Sequence, residues 1–253
     1  MNTITIGNFP KLGYACDEAF NTLCTNITFS GENVKKIMIT STFSNEGKSF
    51  IAMNIMRTLA RFGKTVTLVD ADLRRSVIAS DYGLQFSDEN KFGLAHMLAG
   101  MAGEADIVYR TDIPNAWMVP MGRAVSNPLP LLNSPKFTHF LDNLARTVDY
   151  VIVDSPPVGT VIDAAQIAKS CDGTLIAVRY NNVRRQDLIS VKEQLEQTGC
   201  PVLGTVLNQV ELDSYENRKY YSKSYYYKYN YSYAPESEER TAGRKSKKKS
   251  VRK

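Results

Sequence analysis

The sequence predicts an α/β fold, a doubly wound and mostly parallel sheet, with a disordered tyrosine-rich C-terminal tail. Three observations predict it. From about Val34 to Val210, short β-branched runs alternate with helical patterns, the rhythm of strand–helix–strand units with right-handed crossovers. The strand-like runs lack strict polar alternation, as strands buried on both faces do. After Val210 aliphatic side chains become scarce, so little is left to form a core. The 253 residues, 43% hydrophobic and 23% charged, suffice for one large α/β domain or two small ones. The boundary is drawn at a folded domain over 1–210 and a flexible, Tyr-rich and basic tail over 211–253.

In chain order, Asp17–Phe29 reads as an extra N-terminal helix. Lys36–Ser41 (KIMITS) is the first strong strand. Lys48–Phe62 follows as a helix, with Ile51, Ile55, Thr58, Leu59 and Phe62 at helical spacing. Thr65–Asp70, Tyr150–Asp154, Thr174–Arg179 and Val202–Asn208 are further strands, each rich in Val, Ile, Leu or Thr. Pro135–Arg146 and Gln186–Gln197 are further helices. Trp117 reads as core near a strand, and His96 and His139 as packing or surface residues of helical segments. No internal repeat is visible.

Several classes are excluded. The apolar runs around Val66–Val69 and Val151–Val153 are strand-length, well short of the roughly 20 residues of a membrane helix. Met1–Gly7 lacks the basic start and apolar run of a signal peptide. Cys16, Cys24, Cys171 and Cys200 show no CxxC spacing, which argues against a zinc site or a disulfide scaffold and for a reducing, cytoplasmic setting. The net charge of +5 is a tail property: Thr241–Lys253 holds seven Lys and Arg and no acid, and removing those seven leaves −2 for the rest. A nucleic-acid partner is therefore not expected.

The segment Ser41-Thr42-Phe43-Ser44-Asn45-Glu46-Gly47-Lys48-Ser49 joins the first strand to the first helix. A loop there aims successive backbone N–H groups at an anion, assisted by the helix N-terminus. Ser44, Asn45, Glu46, Gly47, Lys48, Ser49 and Phe50 are the candidate nucleotide contacts. Lys48 is placed to reach the β- and γ-phosphates of ATP and Ser49 to ligate Mg²⁺. The strict GxxxxGK[ST] pattern is not met, because Thr42 takes the first glycine position. Asp70 and Asp72 end the next strand and Asp154 a third. In an open parallel sheet these ends share one edge with the phosphate loop, and three carboxylates beside a triphosphate suit hard, oxygen-liganded Mg²⁺. Together they indicate a P-loop nucleotide site.

Asn45-Glu46-Gly47-Lys48-Ser49, Val69-Asp70-Ala71-Asp72-Leu73-Arg74 and Val153-Asp154-Ser155-Pro156-Pro157, with the terminal tyrosine cluster, resemble the bacterial tyrosine kinases. Gly93-Leu94, Gly122, Asn127-Pro128, Leu131-Leu132, Asp163-Ala164 and Gly204 through Asn208 extend the likeness over nearly the whole chain. The resemblance implies a Walker A motif at Lys48 and Ser49, a Walker A′ motif at Asp70 and Asp72, and a Walker B motif at Asp154. By the same match Asp70 is the candidate base for the acceptor hydroxyl, Asp72 and Asp154 hold Mg²⁺ largely through water, and Asn208 lies near the nucleotide base.

It further implies a membrane-spanning activator of the polysaccharide co-polymerase kind, a cognate phosphotyrosine phosphatase, and a role in capsule or exopolysaccharide synthesis. The kinase would then be cytoplasmic and recruited to the inner face of the plasma membrane. A homo-oligomer is also implied, but the family's ExxRxxR motif is not met: Glu18 is followed by Asn21 and Cys24, which cannot make bidentate pairs with carboxylates. Where the family carries Pro-Gly before Glu-Gly-Lys-Ser, this chain has Ser44-Asn45, and Asn tolerates the left-handed conformation.

Nine of the 14 tyrosines, Tyr215, Tyr220, Tyr221, Tyr225, Tyr226, Tyr227, Tyr229, Tyr231 and Tyr233, fall within 19 residues. Beside a kinase site they are the candidate phosphoacceptors, presented in trans to a neighbouring copy. The alternative reading is a partition- or septum-positioning ATPase of the deviant Walker A group. Phe43 stands where that group carries its signature lysine.

Overall fold

In the computed structural model, residues 2–210 are described. Their strands are β1 (Thr3–Ile6), β2 (Lys36–Ser41), β3 (Val66–Asp70), β4 (Leu84–Phe86), β5 (Tyr109–Thr111), β6 (Ala116–Val119), β7 (Tyr150–Asp154), β8 (Gly173–Arg179) and β9 (Val202–Asn208). The helices are α1 (Tyr14–Thr28), α2 (Lys48–Arg61), α3 (Ile78–Asp81), α4 (Leu94–Leu98), α5 (Glu104–Ile107), α6 (Leu129–Leu132), α7 (Pro135–Thr147), α8 (Asp163–Ala168) and α9 (Arg185–Glu196). One sheet runs in the order β4-β1-β5-β6-β3-β7-β2-β8-β9. The five strands expected from the sequence occupy the consecutive positions β3-β7-β2-β8-β9 and are all parallel. Two antiparallel pairs, β1 with β4 and β5 with β6, lie in the other part of the sheet.

Both faces of the central strands are covered, which is why their sequences carry no polar alternation. Met38, Val69, Val151, Val153 and Ile176 point into one core with residues of α4, α6, α7, α8 and α9. Ile37, Ile39, Leu68, Ile152 and Leu175 point into the other, beneath α1 and α2. The periodicity of α2 is obeyed at Ile51, Ile55, Thr58 and Leu59, all buried. Phe62 departs from it: it caps the helix end and is 42% exposed.

Two further expectations need correction. β9 is an edge strand, so Thr205 and Leu207 are exposed where burial on both faces was expected. Trp117 lies on β6 itself and is only half-buried, while its neighbours Ala116 and Met118 fill the core. The strands β1, β4 and β5, of three or four residues each, have no counterpart in the sequence reading, and β6 is the strand expected near Trp117. All four cysteines are free thiols. Among the described residues, no helix is long and apolar enough to cross a membrane.

Candidate functional site

β2 ends at Ser41 and α2 begins at Lys48. In the loop between them Asn45 and Gly47 both take left-handed backbone conformations, with φ of 63° and 86°. Such a bend gathers backbone N–H groups into an anion-binding concavity ahead of the open first turn of a helix. Asn45 thus does adopt the conformation its tolerance allows. Glu46, between them, is fully buried. Its carboxylate accepts hydrogen bonds from the N–H of Phe43 (2.9 Å) and of Arg179 (3.4 Å), so what it offers a ligand is backbone.

Asn208 braces the same loop. Its Nδ2 donates to the Glu46 carbonyl at 3.0 Å, and a Cβ added to Gly47 would come within 2.0 Å of that nitrogen. Glycine is therefore required at 47 both by its φ and by the close approach of β9. The loop after β7 is stitched on from the other side: Thr40 Oγ1 donates to the Pro156 carbonyl (2.9 Å) and the Val158 N–H to the Ser41 carbonyl (2.9 Å). Ser44 is exposed and the Lys48 side chain half-buried. The Phe50 ring packs edge-on against Phe20, with centroids 5.9 Å apart, so it belongs to the α1–α2 contact and only its backbone faces the loop end of α2.

Asp70 and Asp154 are register partners on the adjacent strands β3 and β7, 2% and 1% exposed. Each has one oxygen held by a serine: Ser49 Oγ donates to Asp154 Oδ2 at 2.6 Å, and Ser76 Oγ donates to Asp70 Oδ2. The other oxygen of each, Asp70 Oδ1 and Asp154 Oδ1, is buried without a hydrogen-bond partner. Desolvation pushes the Asp154 carboxyl up to about 7, against the opposing pull of Ser49 and Lys48. The Asp70 carboxyl is raised well above its usual range, first by desolvation and then by Asp154.

Asp72 sits differently. It is half-buried, and its Oδ1 accepts the N–H groups of Arg74 (3.3 Å) and Arg75 (3.0 Å), which shapes the turn after β3. Arg74 holds that turn in place through a two-point contact with the buried Asp163 and a 3.2 Å bond to the Ser126 carbonyl. Among the described residues, no three acidic, histidine or cysteine side chains converge enough to hold a metal by themselves. The buried, unpartnered Asp154 Oδ1 beside the Ser49 hydroxyl nevertheless fits Mg²⁺, which keeps waters and takes phosphate oxygens for the rest of its shell. Such an ion supplies charge neutralisation at the transferring phosphoryl group.

Sequence reasoning singled out the loop and the three aspartates but not Ser76 or the Glu46 brace. Ser76 belongs to no spacing motif, and its role shows only when the turn after β3 is folded. On the N-terminal helix, Cys24 of the family-motif positions is fully buried against α2, where its Sγ lies 3.9 Å from the Ile55 carbonyl, and burial pushes its thiol up to about 12. Asn21 accepts a 2.6 Å bond from Arg61 and donates one of 2.8 Å to Glu18. The nine tail tyrosines, Tyr215 through Tyr233, lie outside the described residues.

Residues 37–222 match the family described as the CobQ/CobB/MinD/ParA nucleotide binding domain. The chain is 39% identical over 196 residues to the tyrosine-protein kinase CpsD of Streptococcus pneumoniae, covering 78% of this chain and 85% of that one. The CpsD of Streptococcus agalactiae serotype III is 37% identical over 194 residues, 77% of this chain and 82% of the relative. Among solved structures, the chimerical protein CapA2B2 superposes with a TM-score of 0.71 at 30% identity, over 81% of this chain and 92% of its own. The kinase domain of the Escherichia coli tyrosine kinase ETK gives 0.71 at 28%, over 77% and 75%. The septum site-determining protein MinD of Pyrococcus horikoshii, solved with Mg-ADP, shares the fold at 23% identity and a TM-score of 0.59, over 74% and 76%.

Proposed function

The chain belongs to the CobQ/CobB/MinD/ParA family of nucleotide-binding domains and, within it, to the bacterial tyrosine kinases, and on that premise we propose how it acts. It is a protein-tyrosine kinase. Its phosphoryl donor is ATP with Mg²⁺, its acceptors are tyrosines of its own tail presented by a second copy, and its role is in capsule or exopolysaccharide synthesis. The observation that carries the proposal is the pair of buried aspartates, each with one oxygen held by a serine and one left unpartnered, beside a loop bent at Asn45 and Gly47 to receive an anion.

Lys48 and the N–H groups of Ser44 through Phe50 bind the phosphates. Mg²⁺, when bound, would be held by Ser49 directly and by Asp72 and Asp154 largely through water. Asp70 orients the tyrosine hydroxyl and takes its proton. Phosphoryl transfer asks for positioning, charge neutralisation and a proton acceptor, and for no covalent enzyme intermediate. A tyrosine hydroxyl, ordinarily near pKa 10, is acidic enough for a carboxylate to serve. A membrane-spanning activator would recruit the kinase to the inner face of the plasma membrane, and a phosphotyrosine phosphatase would reverse the modification.

The test is anti-phosphotyrosine detection after incubation with ATP and Mg²⁺, with and without an activator's cytoplasmic segment. Lys48→Met and a chain truncated after Asp213 are the controls. A tail-dependent signal abolished by Lys48→Met is expected. ATP hydrolysis with no phosphotyrosine in either condition would return the chain to the non-kinase ATPase reading.

A further inference from the structure

Ser76 lies in the turn between β3 and α3, six residues beyond Asp70. Its hydroxyl has a single proton, and the surroundings decide where that proton goes. The Ile78 N–H donates to Ser76 Oγ at 3.2 Å, which occupies a lone pair and leaves the proton for Asp70 Oδ2. Ile78 is itself fixed, 1% exposed in the core beneath α1 and α2. The chain from Ser76 to Ile78 is thus a small rigid bracket that holds one named oxygen of Asp70.

We propose that Ser76 is the positioning residue for the base: by holding Asp70 Oδ2 it leaves Oδ1 as the oxygen that receives the proton of the acceptor tyrosine. The inference rests on the reading of Asp70 as base. In the step, the phenol oxygen bonds to the γ-phosphorus while the bond from that phosphorus to the β,γ-bridging oxygen breaks. ADP leaves with the electron pair, and the phenol proton passes to Asp70 Oδ1. The pairing mirrors the bond from Ser49 to Asp154, one serine serving the metal side of the site and the other the acceptor side.

An aspartate carboxyl has a broad torsional well about its last bond. Without Ser76 the group swings, and a misplacement of about 1 Å costs on the order of 100-fold in rate. Because the hydroxyl of Ser76 bonds only Asp70 on the acceptor side and the Ile78 N–H of its own turn, its loss should leave nucleotide binding alone.

The experiment uses the full chain, with initial rates of tail phosphorylation at saturating Mg²⁺ and a separate measurement of Mg-ADP binding. Ser76→Ala is expected to lower kcat about 10- to 100-fold while KM for ATP and Mg-ADP affinity move by less than about 2-fold. Ser76→Thr, which keeps the hydroxyl, is expected to recover most of the loss. The proposal is overturned if Ser76→Ala retains kcat, if KM and Mg-ADP affinity worsen as much as kcat falls, or if Ser76→Thr is as slow as Ser76→Ala. Should Ser76→Ala not fold, Ser76→Cys, a weaker donor of similar shape, is read for the same split. Asp70→Asn separates the two levels. A fully active Asp70→Asn defeats the base assignment and this inference with it, whereas an inactive Asp70→Asn beside an active Ser76→Ala defeats the inference alone.

Discussion

Replacing Asp154 by Asn removes one charge from the buried pair while its amide oxygen still accepts the bond from Ser49. In the metal-free protein that change should stabilise the fold, and only above a certain pH. The Asp154 carboxyl rises from 3.8 to about 7 on folding, chiefly by desolvation. Between those values the folded state holds a proton that the unfolded chain has released, so stability falls as pH rises through the window. A shift of about three units corresponds to about 4 kcal/mol once Asp154 is fully ionised. Asn does not carry that cost.

At about 2–4 °C per kcal/mol for a domain of this size, and allowing for the desolvation of the new amide, metal-free Asp154→Asn should melt about 5–10 °C above the parent at pH 8. The two should nearly coincide at pH 5. Thermal unfolding in a chelator at both pH values makes the comparison. Adding Mg-ADP should then raise the parent more than the variant and close the gap. A variant less stable than the parent at both pH values would refute the reasoning, as would a parent whose melting temperature does not fall between pH 5 and pH 8.

The loop and the first helix supply further tests. Glu46→Gln puts an amide donor where Glu46 accepts from the N–H groups of Phe43 and Arg179; about 1–3 kcal/mol of lost loop order should show as a roughly 10-fold weaker Mg-ADP affinity in fluorescent-nucleotide titration. Gly47→Ala meets both a φ of 86° and Asn208 Nδ2 at 2.0 Å, so nucleotide binding should fall by at least about 100-fold, and adding Asn208→Ala should recover only part, since the backbone strain persists. Cys24→Arg, which restores an arginine of the family motif, should lower stability by about 3 kcal/mol or more because Cys24 is fully buried; thermal unfolding reads the loss, and size-exclusion chromatography should show no gain of assembly.

The central sheet was legible because its strands obey one rule. Lys36–Ser41 and Tyr150–Asp154 recur unchanged as β2 and β7, since their central residues Ile37, Met38, Ile39, Val151, Ile152 and Val153 face opposite cores and are all apolar. The periphery follows weaker rules. β1 is four residues of alternating exposure, and β5 gains its place from pairing with β1 and β6, distant and near in sequence, which no local pattern announces. The family motif on α1 is limited for a related reason. A family motif says which positions face a partner only if the helix keeps its rotation, and in this chain α1 sets Cys24 against α2.

The site was legible as residue types but not as atoms. GKS and three strand-ending aspartates identify a nucleotide and a cation, because few other ligands call for that many charges at one sheet edge. They do not reveal that Glu46 turns inward, that Asn208 holds the loop from a neighbouring strand, or that Asp72 spends one oxygen on its own turn. Those facts depend on hydrogen bonds made across 162 residues in one case and two in another. The same folding leaves Asp70 Oδ1 and Asp154 Oδ1 buried and unpartnered. A fold keeps two such oxygens on adjacent strands only where something is gained by it, since each is destabilising without a partner. Here the gain is chemical: one free oxygen can face a cation and the other a proton, and Ser49 and Ser76 determine which oxygen of each aspartate is left free.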